Sequence, residues 1–393
     1  MTSAYVLDYL RTPRGKGSPR GSLHTTSPVD LVVTLQRALA ERGLDPSAVE
    51  DVIIGTATQV NEQGANLART ANLLAGWGAT VPGATVNRFC ASGVDAVAQT
   101  AARIRSGDLT LAVAGGVEST SRVPMFSDNG PLFCDPATIE RIGSVHMGIA
   151  ADLNATLEGW TRDELDSYGL ETQQKAAKAW AEGAFTKSVV PISGLTHDEL
   201  IRETTPQTLA ALPPAFAELP DQDKIALAAH PEAGELRHLH TVGTSPALAD
   251  AAALLLLGDD KAAERTGLRP RARIVASTTT STDPVIMLTA GQSAVEKVIA
   301  KAGLRPADID VFEFAEAFAA LCLRFRRDLD AGPDRLNPNG GTIAMGHAFG
   351  ATGAIMVGGC VDELERRDAR YGVAAVSGAA GLGTAVLLER LPT

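Results

Sequence analysis

The sequence predicts an α/β protein made of two related halves, with a segment of different character inserted between them. Three observations predict it. Blocks of sequence recur 260 residues apart, the chain holds 38 glycines but only 4% aromatic residues, and its middle third is rich in proline and charge. Two matches at one offset mark one architecture used twice. Abundant glycine with little aromatic bulk suits tight strand-to-helix turns.

At 393 residues the chain is too long for one compact core, so two or three domains are expected. Its 45% hydrophobic and 21% charged residues are those of an ordinary globular protein. A net charge of −11 weighs against nucleic acid as a partner, although a local basic patch can still meet a phosphorylated ligand. Cys90, Cys134, Cys322 and Cys360 form no CxxC pair and no metal-ligand spacing, which fits a reducing compartment and predicts no metal site. The most apolar segment, Ala247–Gly258, contains Asp250 and is too short to span a bilayer. The first residues carry no apolar signal core and meet Arg11 early, so a soluble, cytoplasmic protein is expected.

In chain order, Ala4–Asp8 reads as a strand, Arg11–Ser27 as a polar loop and Asp30–Arg42 as a helix closed by Gly43. Leu44–Glu50 leads into an apolar strand, Val52–Ile54. A β-prone run, Ala84–Val86, precedes Asn87-Arg88-Phe89-Cys90-Ala91-Ser92-Gly93, and Val94–Arg105 repeats apolar residues at helical spacing. A further strand is expected over Leu109–Gly116. Late in the chain the text returns: a helix over Ser293–Ala302 ending at Gly303, a strand over Val311–Phe314, and Gly350-Ala351-Thr352-Gly353 matching Cys90-Ala91-Ser92-Gly93. A run over Gly372–Gly378 completes the second copy. Between the copies, roughly Ser119–Thr241 carries short helical patterns such as Arg162–Phe185, and reads as a loop domain able to cover a crevice. Its Lys187, Arg202, Lys224 and Arg237 are candidates for meeting a phosphate, with a solvated surface as the competing reading.

Cys90 would sit on a sharp strand-to-helix turn eased by Ser92 and Gly93. Free amides and the positive end of the helix dipole there favour a thiolate and offer a cradle for an oxyanion. A small buried hydrophobe is the competing reading. In open α/β sheets, sites form where loops leave strand ends, so the two halves would bring Cys90 and the loop Gly346–Gly350 to one crevice. Gly378–Gly383 lacks GxGxxG order and lies at the end of the chain, which argues against nucleotide-redox chemistry.

These pieces together resemble the thiolase family, which makes and cleaves 3-oxoacyl-CoA thioesters. The resemblance runs from Arg11-Thr12-Pro13 to Gly381-Leu382-Gly383. It rests on Asn87–Gly93, Ala114-Gly115-Gly116-Val117-Glu118-Ser119, His146-Met147-Gly148, and Asn337-Pro338-Asn339-Gly340-Gly341 followed by Gly346-His347. It implies a five-layer αβαβα fold with an N-terminal half over 1–118, a loop domain over 119–241, a return to the first half over 242–268 and a C-terminal half over 269–393. It also implies that Cys90 takes the acyl group, that His347 activates it and helps polarise the second thioester's carbonyl oxygen, and that the Cys90 and Ala379 amides hold the first oxyanion. His146 and Met147 would lie near the acyl and pantetheine pocket, with a structural histidine as the competing reading for His146. Phe318, in the family's Glu-Ala-Phe segment, belongs to the same expected binding site. Acyl-CoA and CoA are the implied substrates and products, with no permanently bound cofactor, and a homodimer or homotetramer is the implied assembly.

The sequence departs from the family at several points. Ser377 stands where the family has its acid/base cysteine, and a hydroxyl is a far weaker acid than a thiol of pKa about 8.5. Ala315 stands where the family has Asn or His before Glu-Ala-Phe; losing an oxyanion donor costs roughly 10²–10³ in rate. Ala348 replaces the usual Pro after the catalytic His. Pro246 stands where a pantetheine-contacting Ser is expected, with Ser245 next to it. Ala217–His240 looks like an insertion beside the cofactor entrance. The expected function is a thiolase-type acyltransferase, of acetyl-CoA acetyltransferase or 3-ketoacyl-CoA thiolase type, with weakened condensation or thiolysis. The alternatives are a non-condensing acyl-CoA transferase or thioesterase using Cys90 alone, and a degraded structural subunit partnering a β-oxidation-type complex.

Overall fold

The computed structural model describes residues 2–392. Among them, ten strands join into one mixed sheet: β1 (Tyr5–Arg11), β2 (Gly15–Lys16), β3 (Asp51–Gly55), β4 (Ala84–Val86), β5 (Leu111–Ser119), β6 (Ala249–Gly258), β7 (Ala272–Ser281), β8 (Val311–Phe314), β9 (Tyr371–Gly378) and β10 (Leu382–Arg390). The order is β4-β3-β5-β6-β1-β7-β10-β9-β8, with β2 beside β6 off that path. The two halves of the sheet meet where β1 pairs β7, Tyr5 opposite Arg273 and Val6 opposite Ala272. Strand pairs β3–β4, β3–β5 and β8–β9 are parallel.

The helices that frame the cores and the site are α1 (Pro28–Glu41), α2 (Leu67–Leu74), α3 (Ser92–Ser106), α4 (Met147–Glu158), α5 (Arg162–Ala181), α6 (Ala290–Lys301), α7 (Ala319–Leu329) and α8 (Phe349–Arg366). Three large apolar cores define five layers. In β6, Leu255 and Leu257 face α3 and α8, whereas Leu254 and Leu256 face α1 and α2. That alternation is the period of a strand, and a strand covered on both faces reads as a continuous apolar run. On the far side, β7–β10 carry α6 and α7, and α4 packs into the same core. Helices α3 and α8 therefore form the middle layer, and each delivers one end to the site.

The repeat is visible element by element. β3 begins at Asp51 and β8 at Val311, β5 at Leu111 and β9 at Tyr371, while α1 ends at Glu41 and α6 at Lys301, each pair 260 residues apart. Gly43 and Gly303 follow those two helices with φ of +99° and +71°, the left-handed turn that ends a helix.

The boundaries differ from expectation where distant partners act. β1 continues past Asp8 because Tyr9, Leu10 and Arg11 pair with Leu255, Leu254 and Ala253. Arg11, expected in a loop, is buried because its guanidinium grips both oxygens of Asp198 at 2.8 and 3.0 Å. The expected loop 11–27 also contains β2. Helix α3 starts two residues before Val94, at Ser92, and α5 ends four residues before Phe185. No helix among the described residues is long and apolar enough to cross a membrane.

Candidate active site

β4 feeds directly into the nucleophile turn. The Asn87 side-chain oxygen accepts the Phe89 amide at 2.8 Å. Ser92 Oγ accepts the Arg88 amide at 2.8 Å and donates to the Phe89 carbonyl at 2.6 Å. These bonds hold Phe89 at φ +49°, a left-handed conformation costing roughly 1–2 kcal/mol for a residue with a Cβ. The sequence assigned the easing of this turn to Ser92 and Gly93; the strained residue is Phe89, and Ser92 clamps it. Cys90 follows at the head of α3, and neither its amide nor that of Ala379 donates to a backbone carbonyl among the described residues.

His347 arrives from the second half but is held by the first. Its amide donates to the Ala247 carbonyl at 2.8 Å, and its carbonyl accepts the Ala249 amide at 3.2 Å. Gly346, at φ +99°, turns the chain just before it. The imidazole Nδ1 pairs with Thr352 Oγ1 at 2.8 Å, and Phe349 packs edge-on at 5.0 Å. Burial lowers the pKa of His347 to about 3, the Arg14 charge adding to the effect. Burial also pushes the Cys90 thiol up to about 12, with the Glu118 carboxylate contributing. The helix terminus was expected to favour a thiolate; desolvation wins, and the resting pair is a thiol and a neutral imidazole.

Both side chains line one cavity of ≈ 200 Å³. Of the other residues expected at the site, His146, Met147, Ser245, Pro246, Phe318, Ser377 and Ala379 line it too. Ala315 does not. Its amide donates to the Ala375 carbonyl at 2.9 Å, and it borders a separate cavity of ≈ 40 Å³ shared with Arg14 and Glu313.

The polar groups of the main cavity are differently committed. Ser377 Oγ donates to the Leu288 carbonyl at 2.7 Å and accepts the Gly291 amide at 3.0 Å, so its one proton is committed to the backbone. Ser245 Oγ is buried with no hydrogen-bond partner among the described residues. His146 caps α4: its Nδ1 accepts the Gly148 amide at 3.0 Å, and Phe216 packs on the ring at 5.4 Å. Phe318 is fixed edge-on between Phe216 and His240.

A smaller cavity of ≈ 50 Å³ opens on another side of Cys90, walled chiefly by Phe89, Met125, Phe126, Phe133, Met147 and Phe349. Among the described residues no basic side chain lines it, and Asp128 does.

Other residues hold the site without having been singled out in the sequence. Glu118, at the end of β5, accepts the amides of Ala57 at 2.8 Å, Thr58 at 3.2 Å and Gly350 at 2.9 Å, and the Gln63 side-chain nitrogen at 2.6 Å. Glu316 accepts Tyr168 Oη and Thr172 Oγ1, both at 2.8 Å, and the Ile343 amide at 2.9 Å. Asp152 anchors the 217–240 segment through the Leu239 and His240 amides and His240 Nδ1. Of the basic candidates, Lys187 pairs with Glu365 and Lys224 with Asp221. Arg202 reaches the Val242 carbonyl at 3.4 Å, and Arg237 is exposed.

Comparison with known proteins agrees with this architecture. Residues 4–219 match the thiolase N-terminal domain and residues 268–390 the thiolase C-terminal domain. The chain is 35% identical over 421 residues to the 3-oxoadipyl-CoA/3-oxo-5,6-dehydrosuberyl-CoA thiolase of Escherichia coli (strain K12), covering 100% of both. It is 36% identical over 408 residues to the 3-ketoacyl-CoA thiolase of Klebsiella pneumoniae, again covering 100% of both. The crystal structure of the Bacillus anthracis acetyl-CoA acetyltransferase superposes with a TM-score of 0.86 at 30% identity, over 100% of this chain and 99% of that one. Two half-chains sharing one cavity, matched end to end in sequence and fold, identify the chain as a member of the thiolase family.

Proposed function

We propose that the protein is a thiolase-type acyltransferase that passes an acyl group between Cys90 and CoA and cleaves 3-oxoacyl-CoA. What supports this most is that a thiol and a neutral imidazole, one from each half, line a single cavity beside the Cys90 and Ala379 amides, neither of which donates to a backbone carbonyl among the described residues. His347 Nε2 takes the Cys90 proton as sulfur attacks the C3 carbonyl, and the Cys90 and Ala379 amides receive the oxyanion. The C2–C3 bond breaks with its electron pair on C2, and the imidazolium returns the proton there, releasing acetyl-CoA. CoA thiol then gives its proton to His347 and attacks the acyl-Cys90 carbonyl, restoring free Cys90. The unpartnered Ser245 hydroxyl suits a pantetheine amide, a contact that Pro246 cannot supply.

The acyl group is short and apolar. The ≈ 50 Å³ cavity beside Cys90 is walled chiefly by aromatic and Met side chains with the carboxylate of Asp128 among them, and a carboxylate-ended chain would meet that like charge and, among the described residues, no cation. A second reading, acyl transfer or hydrolysis without carbon–carbon chemistry, is favoured by the committed hydroxyl of Ser377. The enzyme is cytoplasmic and forms a homodimer along the edge strand β4, beside which Leu73 and Leu74 of α2 are 55% and 53% exposed. Light scattering at the mass of one chain would contradict that assembly. The division into 1–118, 119–241, 242–268 and 269–393 is supported by β6 returning between β5 and β1.

Incubation with acetoacetyl-CoA and CoA tests the function. Release of acetyl-CoA with acetylated Cys90 is the expected result. Acylated Cys90 without thiolysis would favour the second reading, and no acylation would contradict both.

A further inference from the structure

Cys90 is the meeting point of two cavities. Met125, Met147, Phe349 and Ala379 border both the ≈ 200 Å³ and the ≈ 50 Å³ space beside it. On the reading above, the larger one, which holds His347 and Ser245, takes the thiol end of CoA. An acyl chain on Cys90 must leave that approach clear. With its carbonyl at the Ala379 amide, the chain runs into the smaller cavity. Two aromatic rings stand at the far end of it. Phe126 and Phe133 pack at 4.6 Å, and Phe133 meets Phe89, the residue before the nucleophile, edge-on at 6.1 Å. Both rings are half-buried and Asp128 is exposed, whereas Thr58, Phe349 and Ala379 are buried, so the pocket runs outward from Cys90 and ends at the rings.

We propose that Phe133 is the specificity-determining residue of acyl transfer: its ring ends the acyl pocket and limits the chain that Cys90 can carry. This rests on the acyl-cysteine reading above. At roughly 10–15 Å³ for each water-sized group, the ≈ 50 Å³ pocket takes about four heavy atoms. Acetyl and butyryl chains fit, and an octanoyl chain must displace the rings. In the transfer the bond from Cys90 sulfur to the acyl carbon forms as the CoA thioester bond breaks. CoA leaves as the thiol, with the proton that His347 took from Cys90.

Phe133 can be replaced without unlacing its surroundings. Among the described residues, every hydrogen bond made by residues 124–144 closes within that segment, such as the Phe133 amide on the Gly130 carbonyl and the Gly143 amide on the Ile139 carbonyl. Phe126 sits at φ +71°, so changing it would also alter the backbone. Phe133 lies in a regular helical turn, Pro131–Cys134.

Mass spectrometry of Cys90 after mixing with acetyl-, butyryl-, hexanoyl- or octanoyl-CoA tests the proposal. Wild type is expected to load octanoyl at least about tenfold more slowly than acetyl, the lower end of what one methylene decides in an apolar pocket. Phe133→Ala should raise octanoyl loading at least about tenfold and leave acetyl loading within about threefold of wild type. Phe133→Trp should slow butyryl loading and spare acetyl, and the Tm of both variants should stay near wild type. Equal loading of all four chains by wild type, or variant profiles that parallel the wild-type one, would overturn the role of Phe133 and leave the acyl-cysteine intact. Acylation by none of the four would remove the function reading itself.

Discussion

Gly93 and Gly353 hold equivalent places in the two halves, and each sits where the opposite central helix leaves no room for a methyl group. A Cβ on Gly93 would lie 2.4 Å from the Gly350 carbonyl oxygen and 2.8 Å from the Ala354 nitrogen. A Cβ on Gly353 would lie 2.4 Å from the Val94 nitrogen. This reciprocal contact presses α3 against α8, and those helices carry Cys90 and His347 at their starts.

Gly353→Ala is therefore expected to cost more than about 3 kcal/mol, because backbone rather than a flexible side chain must give way. Gly359, in the same helix with nothing within 4 Å of its would-be Cβ, is the control. Gly359→Ala should be neutral or stabilising by up to about 1 kcal/mol, the helix propensity difference. Denaturant melts of the two variants check the contrast, and equal stabilities would contradict it.

Much of this was legible in the sequence because it depends on local pattern. Ala84–Val86 and Val311–Phe314 form strands with the expected bounds, and the shared offset carries through to whole elements. What was not legible depends on partners far along the chain. Glu118 joins three loops across separations of up to 232 residues, and even Thr352, only five residues from His347, meets its ring through the turn at Ala348. Neither bears a local signature beyond ordinary polar character. Ser377 was readable as a departure from a cysteine, but its engagement by Leu288 and Gly291 needed α6 in place. That Ala315 faces a different cavity likewise follows from how β8 packs, not from its neighbours in sequence.

Glu118→Gln puts an amide NH₂ where a carboxylate accepts four N–H groups. At least one buried donor must then lose its acceptor, at about 1–3 kcal/mol. The same change removes a charge that raises the Cys90 thiol. The variant should be less stable by chemical denaturation, and its iodoacetamide reaction at Cys90 should shift to lower pH. An unchanged alkylation profile would contradict the electrostatic link.

Because the Ser377 hydroxyl is tied to backbone on both sides, it carries no proton during catalysis. Ser377→Ala should lower thiolysis less than about fivefold while costing about 1–3 kcal/mol for the stranded Gly291 amide. Ser377→Cys should raise thiolysis and α-proton exchange, since a thiol near the neutral range can trade a proton. Loss of activity in Ser377→Ala beyond a hundredfold with native stability would contradict this view of the hydroxyl.

The pKa of His347 falls from 6.5 to about 3 on folding. Between those values the unfolded chain binds the proton and the folded chain does not, so this group removes stability as pH falls below about 6.5. In catalysis the imidazole stays a base throughout that window. The rate of Cys90 acylation should show no acid limb near pH 6.5, and a limb there that shifts in a Thr352→Val variant would contradict a buried neutral His347.

The most direct measurement is quenched-flow mass spectrometry of the Cys90 peptide after mixing with acetyl-CoA, comparing wild type with His347→Ala and Cys90→Ala. The cavity geometry predicts rapid acetylation of Cys90 in wild type, at least about 10²-fold slower labelling without the imidazole, and none at that position without the sulfur. Equal labelling rates in wild type and His347→Ala, or acetyl groups on other residues alone, would contradict a site assembled from both halves.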